Sequence, residues 1–174
     1  YLQACQALAP SLAEAQVFAL ETWLAEYKDM LGIALTDTYG LDAFLAEFNG
    51  ELARAYVGVR HDSGDPFEWS ERMLAHYENL GIDPREKTLI YSDSLTIPRA
   101  LEIFERYRGR ARLAFGIGTN LTNDVGAEAL DIVIKMTHLN GRAVAKLSDD
   151  PAKAVSPDSA YLEDLRDVYR RKAV

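Results

Sequence analysis

The sequence predicts an α/β fold: a partial (β/α) barrel on a parallel sheet, followed by a β-hairpin and a C-terminal helix. Three observations predict it. Four short apolar runs each stop at a cluster of small and acidic residues. They are Gly32-Ile-Ala-Leu-Thr-Asp-Thr38, Ala55 to Val59 running into Arg60-His-Asp-Ser-Gly-Asp65, Thr88-Leu-Ile-Tyr-Ser-Asp-Ser94, and Leu113-Ala-Phe-Gly-Ile-Gly-Thr-Asn120. Their last apolar residues, Leu35, Val59, Tyr91 and Phe115, lie 24, 32 and 24 residues apart, the repeat length of strand-plus-helix units. The intervening stretches carry helical periodicity. Ligand sites of such sheets gather at the C-terminal ends of the strands. The four polar clusters therefore predict one site for an anionic ligand.

Each element has its own signal. Residues 1–9 and 12–28 read as helices. Ser11 and Glu14 form a Ser-x-x-Glu capping box, and Leu20, Trp23, Leu24 and Tyr27 follow at helical spacing. After the first strand, Leu41, Leu45, Phe48 and Leu52 mark a helix interrupted at Asn49-Gly50. The next helix has Asp65 as N-cap, Pro66 at its first position and Glu68 in its first turn. Met73, Leu74, Tyr77 and Leu80 face inward, and Gly81 ends it. A fourth runs from about Ile97 to Arg108, with Ala100, Leu101, Phe104 and Tyr107 on its core face and Gly109 as the stop. Ile132–Leu139 and Arg142–Leu147 flank Asn140-Gly141, the type I′ hairpin signal. Ser148 to Pro157 reads as a polar loop. Ser156-Pro157 opens a last helix that buries Leu162, Leu165, Val168 and Tyr169 and ends in Arg170, Arg171 and Lys172.

At 174 residues and 48% hydrophobic, the chain can bury one core. A complete barrel of eight such units takes about 250 residues, and the sequence begins at Tyr1. These two facts predict that residues 1–174 are the C-terminal part of a barrel domain whose N-terminal domain lies outside them. A net charge of −8 and a pI near 4.9 argue against non-specific nucleic-acid binding. No apolar run approaches the roughly 20 residues that span a bilayer. Cys5 is the single cysteine, so no internal disulfide is possible, and a reducing cytoplasm is the expected compartment.

Chemistry is expected at the strand ends. In Phe115-Gly-Ile-Gly-Thr-Asn120, Gly116 and Gly118 can turn backbone N–H groups toward a phosphate while Thr119 adds a hydroxyl; a plain tight turn is the alternative. Arg60 can grip a carboxylate or phosphate with two parallel hydrogen bonds. Asp62 can accept from ribose hydroxyls or bind Mg²⁺; an ordinary Arg60–Asp62 ion pair is the competing reading. Asp65 fits an N-cap unaided. Ser92-Asp93 and Thr36-Asp37 say little individually. His76 reads as solvated, His138 as lying near a turn, and His61 alternates with Arg60 and Asp62 and so points away from a ligand. No His/Cys cluster has zinc spacing, and no metal site is assigned to protein side chains alone. Cys5, Trp23 and Trp69 read as packing.

Taken together, Gly58-Val-Arg-His-Asp-Ser-Gly-Asp-Pro66, Tyr91-Ser-Asp-Ser-Leu95, Phe115-Gly-Ile-Gly-Thr119, Ile132-Val-Ile-Lys135 and Val144-Ala-Lys-Leu-Ser-Asp149 resemble the bacterial nicotinate phosphoribosyltransferases, in family order and over nearly the whole chain. The resemblance implies a type II phosphoribosyltransferase barrel. It also implies a cytoplasmic enzyme of NAD biosynthesis that joins nicotinate to phosphoribosyl pyrophosphate. ATP would be co-substrate through a phosphohistidine, which gives the ligase label; Mg²⁺ would be required, and a homodimer would share the site. By the same resemblance Arg60, Asp62, Ser63, Gly64, Ser92 and Asp93 bind substrate, and Gly116, Gly118 and Thr119 hold the 5′-phosphate. The phosphohistidine is expected before residue 1, since His61, His76 and His138 do not match it, so residues 1–174 alone are expected to be inactive. Nicotinamide phosphoribosyltransferase and a non-catalytic phosphosugar-binding module are the rival readings. The Phe-Gly-Ile-Gly-Thr and Val-Ala-Lys-Leu-Ser-Asp runs favour the nicotinate enzyme over the first of these.

Overall fold

A computed structural model describes all residues except 29, 131, 151, 152, 155, 173 and 174. Helix α1 (Leu2–Leu8), a 3₁₀ turn (Leu12–Glu14) and α2 (Ala15–Tyr27) precede β1 (Ile33–Leu35). Then come α3 (Leu41–Glu47), α4 (Gly50–Ala55), β2 (Gly58–His61), α5 (Pro66–Asn79), β3 (Thr88–Tyr91), α6 (Ile97–Tyr107), β4 (Arg112–Phe115) and the one-turn α7 (Thr119–Thr122). A hairpin of β5 (His138–Leu139) and β6 (Arg142–Ala143) leads to α8 (Ser159–Arg170).

The four strands form one parallel sheet in the order β1-β2-β3-β4. Pairing puts Ala34, Val59, Leu89 and Leu113 in one row, and Leu35, Arg60, Ile90 and Ala114 in the next. Because side chains alternate across a strand, the two rows face opposite ways. Ala34, Val59 and Leu89 are buried with Phe44, Phe48, Trp69, Met73, Tyr77, Ile103 and Tyr107 of α3, α5, α6 and the turn after α3. The row containing Arg60 is only half-buried. Gly58 is required where it stands, because a Cβ there would lie 2.1 Å from the Thr88 carbonyl oxygen.

A second core joins Ala9, Ala15, Tyr39, Ala43, Ala145, Leu147, Leu162, Leu165 and Tyr169. It ties α8 and the segment after the hairpin to the loop that follows β1, and Tyr39 stacks on Tyr169 at 3.9 Å.

Several expectations need correction. The second strand starts at Gly58, not Ala55, because α4 runs through Ala55 and Asn49 caps it, accepting from the N–H groups of Glu51 and Leu52. Ser11 donates to the Glu14 carboxylate at 2.5 Å and makes no side-chain cap to a backbone N–H. The core face of α6 is Ala100, Ile103 and Tyr107, while Leu101 and Phe104 are exposed. The hairpin keeps its type I′ turn, with positive φ at Asn140 and Gly141, but each strand is two residues long. Ile132 and Ile134 stand outside the ladder, 78% and 95% exposed. His76 is not simply solvated: its Nε2 lies 2.8 Å from the Phe48 carbonyl oxygen. Residues 151, 152 and 155 of the expected polar loop lie outside the described residues.

Candidate active site at the strand ends

The loops leaving β1, β2 and β3 meet through hydrogen bonds that continue the sheet. Thr36 donates from N and Oγ1 to the Arg60 carbonyl, at 3.4 and 3.0 Å, and Ser92 donates from N and Oγ to the His61 carbonyl, at 3.1 and 3.0 Å. Parallel strands in register thus bring Asp37, Asp62 and Asp93 to one edge.

Three cations face these three carboxylates. Lys146 Nζ lies 2.8 Å from Asp37 Oδ2 and 2.9 Å from Asp62 Oδ2. Arg60 pairs with Asp62 at 3.4 Å. Lys153 donates to Asp93 Oδ1 at 2.7 Å and to the Asp62 carbonyl at 3.1 Å. Burial pushes the Asp62 carboxyl up, but the Lys146 hydrogen bond and charge, with Arg60 and Ser92, outweigh it and hold that carboxyl below the usual range. Partial burial pulls the Lys153 ammonium down, and the Asp93 partner more than restores it, leaving it raised.

Beside this cluster opens a cavity of about 410 Å³. Its walls include Leu20, Trp23, Leu35 and Tyr56, and its polar wall includes Thr38, Arg60 and Lys146. Arg60 Nε, Thr38 Oγ1 and Asp37 Oδ1 are buried without a hydrogen-bond partner among the described residues. An apolar pocket with a few convergent polar groups is the form small-molecule sites take.

The expected site residues do not all behave alike. Arg60, Asp62, Ser92 and Asp93 come together as described, with Ser92 Oγ also 3.2 Å from Asp62 Oδ1. Ser63 turns inward instead: 2% exposed, it donates to Asp37 Oδ2 at 2.6 Å and accepts from the Asp149 N–H at 3.2 Å. Gly64 has φ +84°, a conformation that favours glycine. His61 is buried on the helix side, its Nε2 3.1 Å from the Gly64 carbonyl and its ring edge-on to Trp69. Asp65 is the α5 cap, accepting from the N–H groups of Phe67 and Glu68.

At the end of β4 the N–H of Gly116 is engaged with the Tyr91 carbonyl at 2.8 Å and is therefore not free for an anion. Gly118 caps α7 and Thr119 begins it, exposed. Asn120 ties this turn back to the β3 loop by donating to the carbonyls of Ser94 and Leu95.

Sequence reasoning assigned no individual role to Asp37, Lys146 or Lys153. The signal for Lys146 was its place between apolar residues in Val144-Ala-Lys-Leu147, where a strand-like alternation turns it opposite to the buried Ala145 and Leu147.

The described residues do not by themselves fit a resident Mg²⁺ ion. Among the described residues no three potential ligands gather to hold a metal, and the three aspartates of the edge each have a lysine partner. Mg²⁺ commonly binds through one or two carboxylates plus substrate phosphates rather than in an all-protein cage.

The model of the nicotinate phosphoribosyltransferase (NAPRTase) family matches residues 1–173. Nicotinate phosphoribosyltransferases of Cupriavidus necator and Ralstonia nicotianae are 61% and 59% identical over 169 residues, covering 97% of this chain and 43% of each relative. A crystal structure of nicotinate phosphoribosyltransferase from Vibrio cholerae superposes with a TM-score of 0.94 at 47% identity, over 97% of this chain and 42% of that one. The enzyme from Porphyromonas gingivalis gives 0.89 at 37% identity, over 97% and 45%. The chain thus spans less than half the length of these relatives.

Proposed function

The chain belongs to the nicotinate phosphoribosyltransferase family, and from that premise we propose that the whole protein joins nicotinate to phosphoribosyl pyrophosphate, releasing nicotinate mononucleotide and pyrophosphate for NAD synthesis. The observation that carries the reading is the cavity into which both Arg60 and Lys146 project beside apolar walls. A flat aromatic acid suits it: the ring lies against apolar surface and the Arg60 guanidinium meets both carboxylate oxygens.

In the reaction the pyridine nitrogen attacks C1 of the ribose, and the C1–oxygen bond to pyrophosphate breaks. Little proton transfer is involved, so positioning and charge stabilisation supply most of the rate. Lys146 and Lys153 exchange carboxylate partners for diphosphate oxygens. Asp62 and Asp93, with Ser92, then face the ribose hydroxyls. Thr119 and Gly118 approach the 5′-phosphate, while Ser63, Gly64 and Gly116 shape the loops that carry these groups.

ATP enters as co-substrate. The His61 ring is buried on the helix side against the Gly64 carbonyl, His76 lies on the Phe48 carbonyl and His138 lies in the hairpin, and the phosphohistidine is assigned outside residues 1–174. The sheet is read as a sector of a type II phosphoribosyltransferase barrel, supported by a strand order that follows chain order without reversal. A homodimer with a shared site, in the cytoplasm, completes the proposal. Among the described residues, no helix is long and apolar enough to cross a membrane.

The test is product formation by the whole protein supplied with nicotinate, phosphoribosyl pyrophosphate and Mg²⁺, with and without ATP. Nicotinate mononucleotide and pyrophosphate in equal amounts, stimulated by ATP, are expected. Binding of phosphoribosyl pyrophosphate without product would favour the phosphosugar-binding module, and preferential use of nicotinamide would favour the amide-specific enzyme. Either result would overturn the proposal.

A further inference from the structure

Gln6, on α1, makes a contact that packing alone does not require. Its side-chain amide, 7% exposed, reads the backbone of one distant residue in both directions. Nε2 donates to the Ala145 carbonyl at 2.6 Å, and Oε1 accepts from the Ala145 N–H at 2.9 Å. This pair fixes the orientation of the amide, since a backbone N–H only donates and a carbonyl only accepts. Tyr161 OH donates to Oε1 at 2.7 Å, and Nε2 also donates to Tyr39 OH at 3.1 Å. Gln6 therefore stands in for a neighbouring strand.

The residue it holds precedes Lys146. On either side, the Val144 N–H donates to the Thr137 carbonyl and the Leu147 N–H donates to the Thr38 carbonyl, at 2.9 and 2.8 Å. Between those two bonds, Gln6 restrains the peptide groups flanking Ala145. Lys146 has a long, flexible side chain, and where its ammonium sits between Asp37 and Asp62 depends on where its Cα is held.

We propose that Gln6 is a positioning residue for Lys146, setting the ammonium where it receives the diphosphate of the phosphorylated substrate. This rests on the proposed role of the strand-end cluster in binding that substrate. Gln6 touches no reacting atom; it acts through the Ala145 backbone.

The competing role is structural, a satisfied polar pair in the second core. A double-mutant cycle on the whole protein separates the two, with Gln6→Met, Lys146→Met and the double variant assayed for the phosphoribosyl pyrophosphate KM and for melting temperature. Removing Gln6 is expected to raise that KM roughly tenfold, the scale of coupling between contacting residues, and to lower the melting temperature. In the Lys146→Met background it should leave KM within about twofold while the same melting loss persists. Equal KM effects in both backgrounds would overturn the proposal.

Should Gln6→Met fail to fold, Gln6→Glu decides. A protonated carboxylic acid offers the same donor and acceptor pair as the amide, whereas a carboxylate repels the Ala145 carbonyl. The KM ratio of Gln6→Glu to wild type is expected to fall toward one as pH drops. A flat ratio would overturn the proposal. Absence of any phosphoribosyl pyrophosphate-dependent turnover by the wild type would defeat the functional reading, and the positioning role with it. Turnover combined with additive effects would defeat the positioning role alone.

Discussion

The Lys146 ammonium stands 2.8 Å from the carboxylate of Asp37, whose side chain is 1% exposed. This pair fastens the segment after the hairpin to the end of the first strand. Removing the Asp37 charge leaves Lys146 with Asp62 alone in a poorly hydrated place. Asp37→Asn is expected to lower stability by about 3 kcal/mol, as for a broken buried pair. Asp62→Asn should cost less, since that side chain is 29% exposed. Denaturant unfolding of both variants checks the order; a larger loss at Asp62 would contradict it.

Arg60 is expected to set the preference for an acid over an amide. Lysine keeps the charge and loses the planar fork, so Arg60→Lys in the whole protein should raise the nicotinate KM and leave that for phosphoribosyl pyrophosphate nearly unchanged. Arg60→Ala should be worse, because an unpaired carboxylate in a partly dry site keeps its desolvation cost. The 3.4 Å pairing with Asp62 defines the rival outcome. If Arg60 serves only that pair, both substrates suffer alike and the melting temperature falls.

Thr119 is exposed at the start of α7, whereas the Thr122 hydroxyl of the same turn donates to the Gly118 carbonyl. Thr119→Ala should weaken phosphoribosyl pyrophosphate by on the order of 1.5–3 kcal/mol, the range for a hydrogen bond to a charged group. The nicotinate KM should hold. An unchanged phosphoribosyl pyrophosphate KM would reduce the Gly-x-Gly-Thr run to a plain turn.

His61 links stability to pH. Burial lowers its pKa below the ordinary value, and Asp93, the Gly64 carbonyl, Asp37 and Asp62 oppose that only in part. The folded protein thus holds a neutral imidazole that the unfolded chain protonates below about pH 6.5. Its contribution is fully present above that pH and declines as pH falls toward the lower folded pKa. Unfolding free energies between pH 7.5 and 5 should therefore decrease more steeply for the wild type than for His61→Gln. Equal slopes would show that His61 is protonated alike in both states.

Gly58→Ala should unfold the sheet locally. The added Cβ would meet backbone, the Thr88 carbonyl at 2.1 Å, rather than a flexible side chain. Overpacking of this kind costs about 3 kcal/mol, and the loss should appear as a lowered denaturation midpoint. A neutral outcome would mean that β2 and β3 can separate without consequence.

Much of the architecture was legible from residue order alone. The 3.6-residue period and Asp65-Pro66 fixed α5, the Asn140-Gly141 pair fixed the hairpin turn, and strand alternation turned His61 away from Arg60. These are local properties of the backbone and need no distant partner. Boundaries were harder where neighbouring signals overlapped, as at Ala55, where helix and strand patterns meet. The sequence pattern put Leu101 and Phe104 on the core face of α6 where Ile103 in fact packs, since Leu101 and Ile103 are equally apolar and only packing on α5 and the sheet decides between them. The family motifs singled out Arg60, Asp62 and Asp93, which the structure brings to one edge of the sheet. Asp37, Lys146 and Lys153 join the strand-end cluster only through tertiary structure, because parallel register aligns the strand ends and the second core folds the C-terminal segment back over them. A lysine remote in sequence acquires its role from the carboxylates that the fold sets beside it, and no local pattern encodes that proximity.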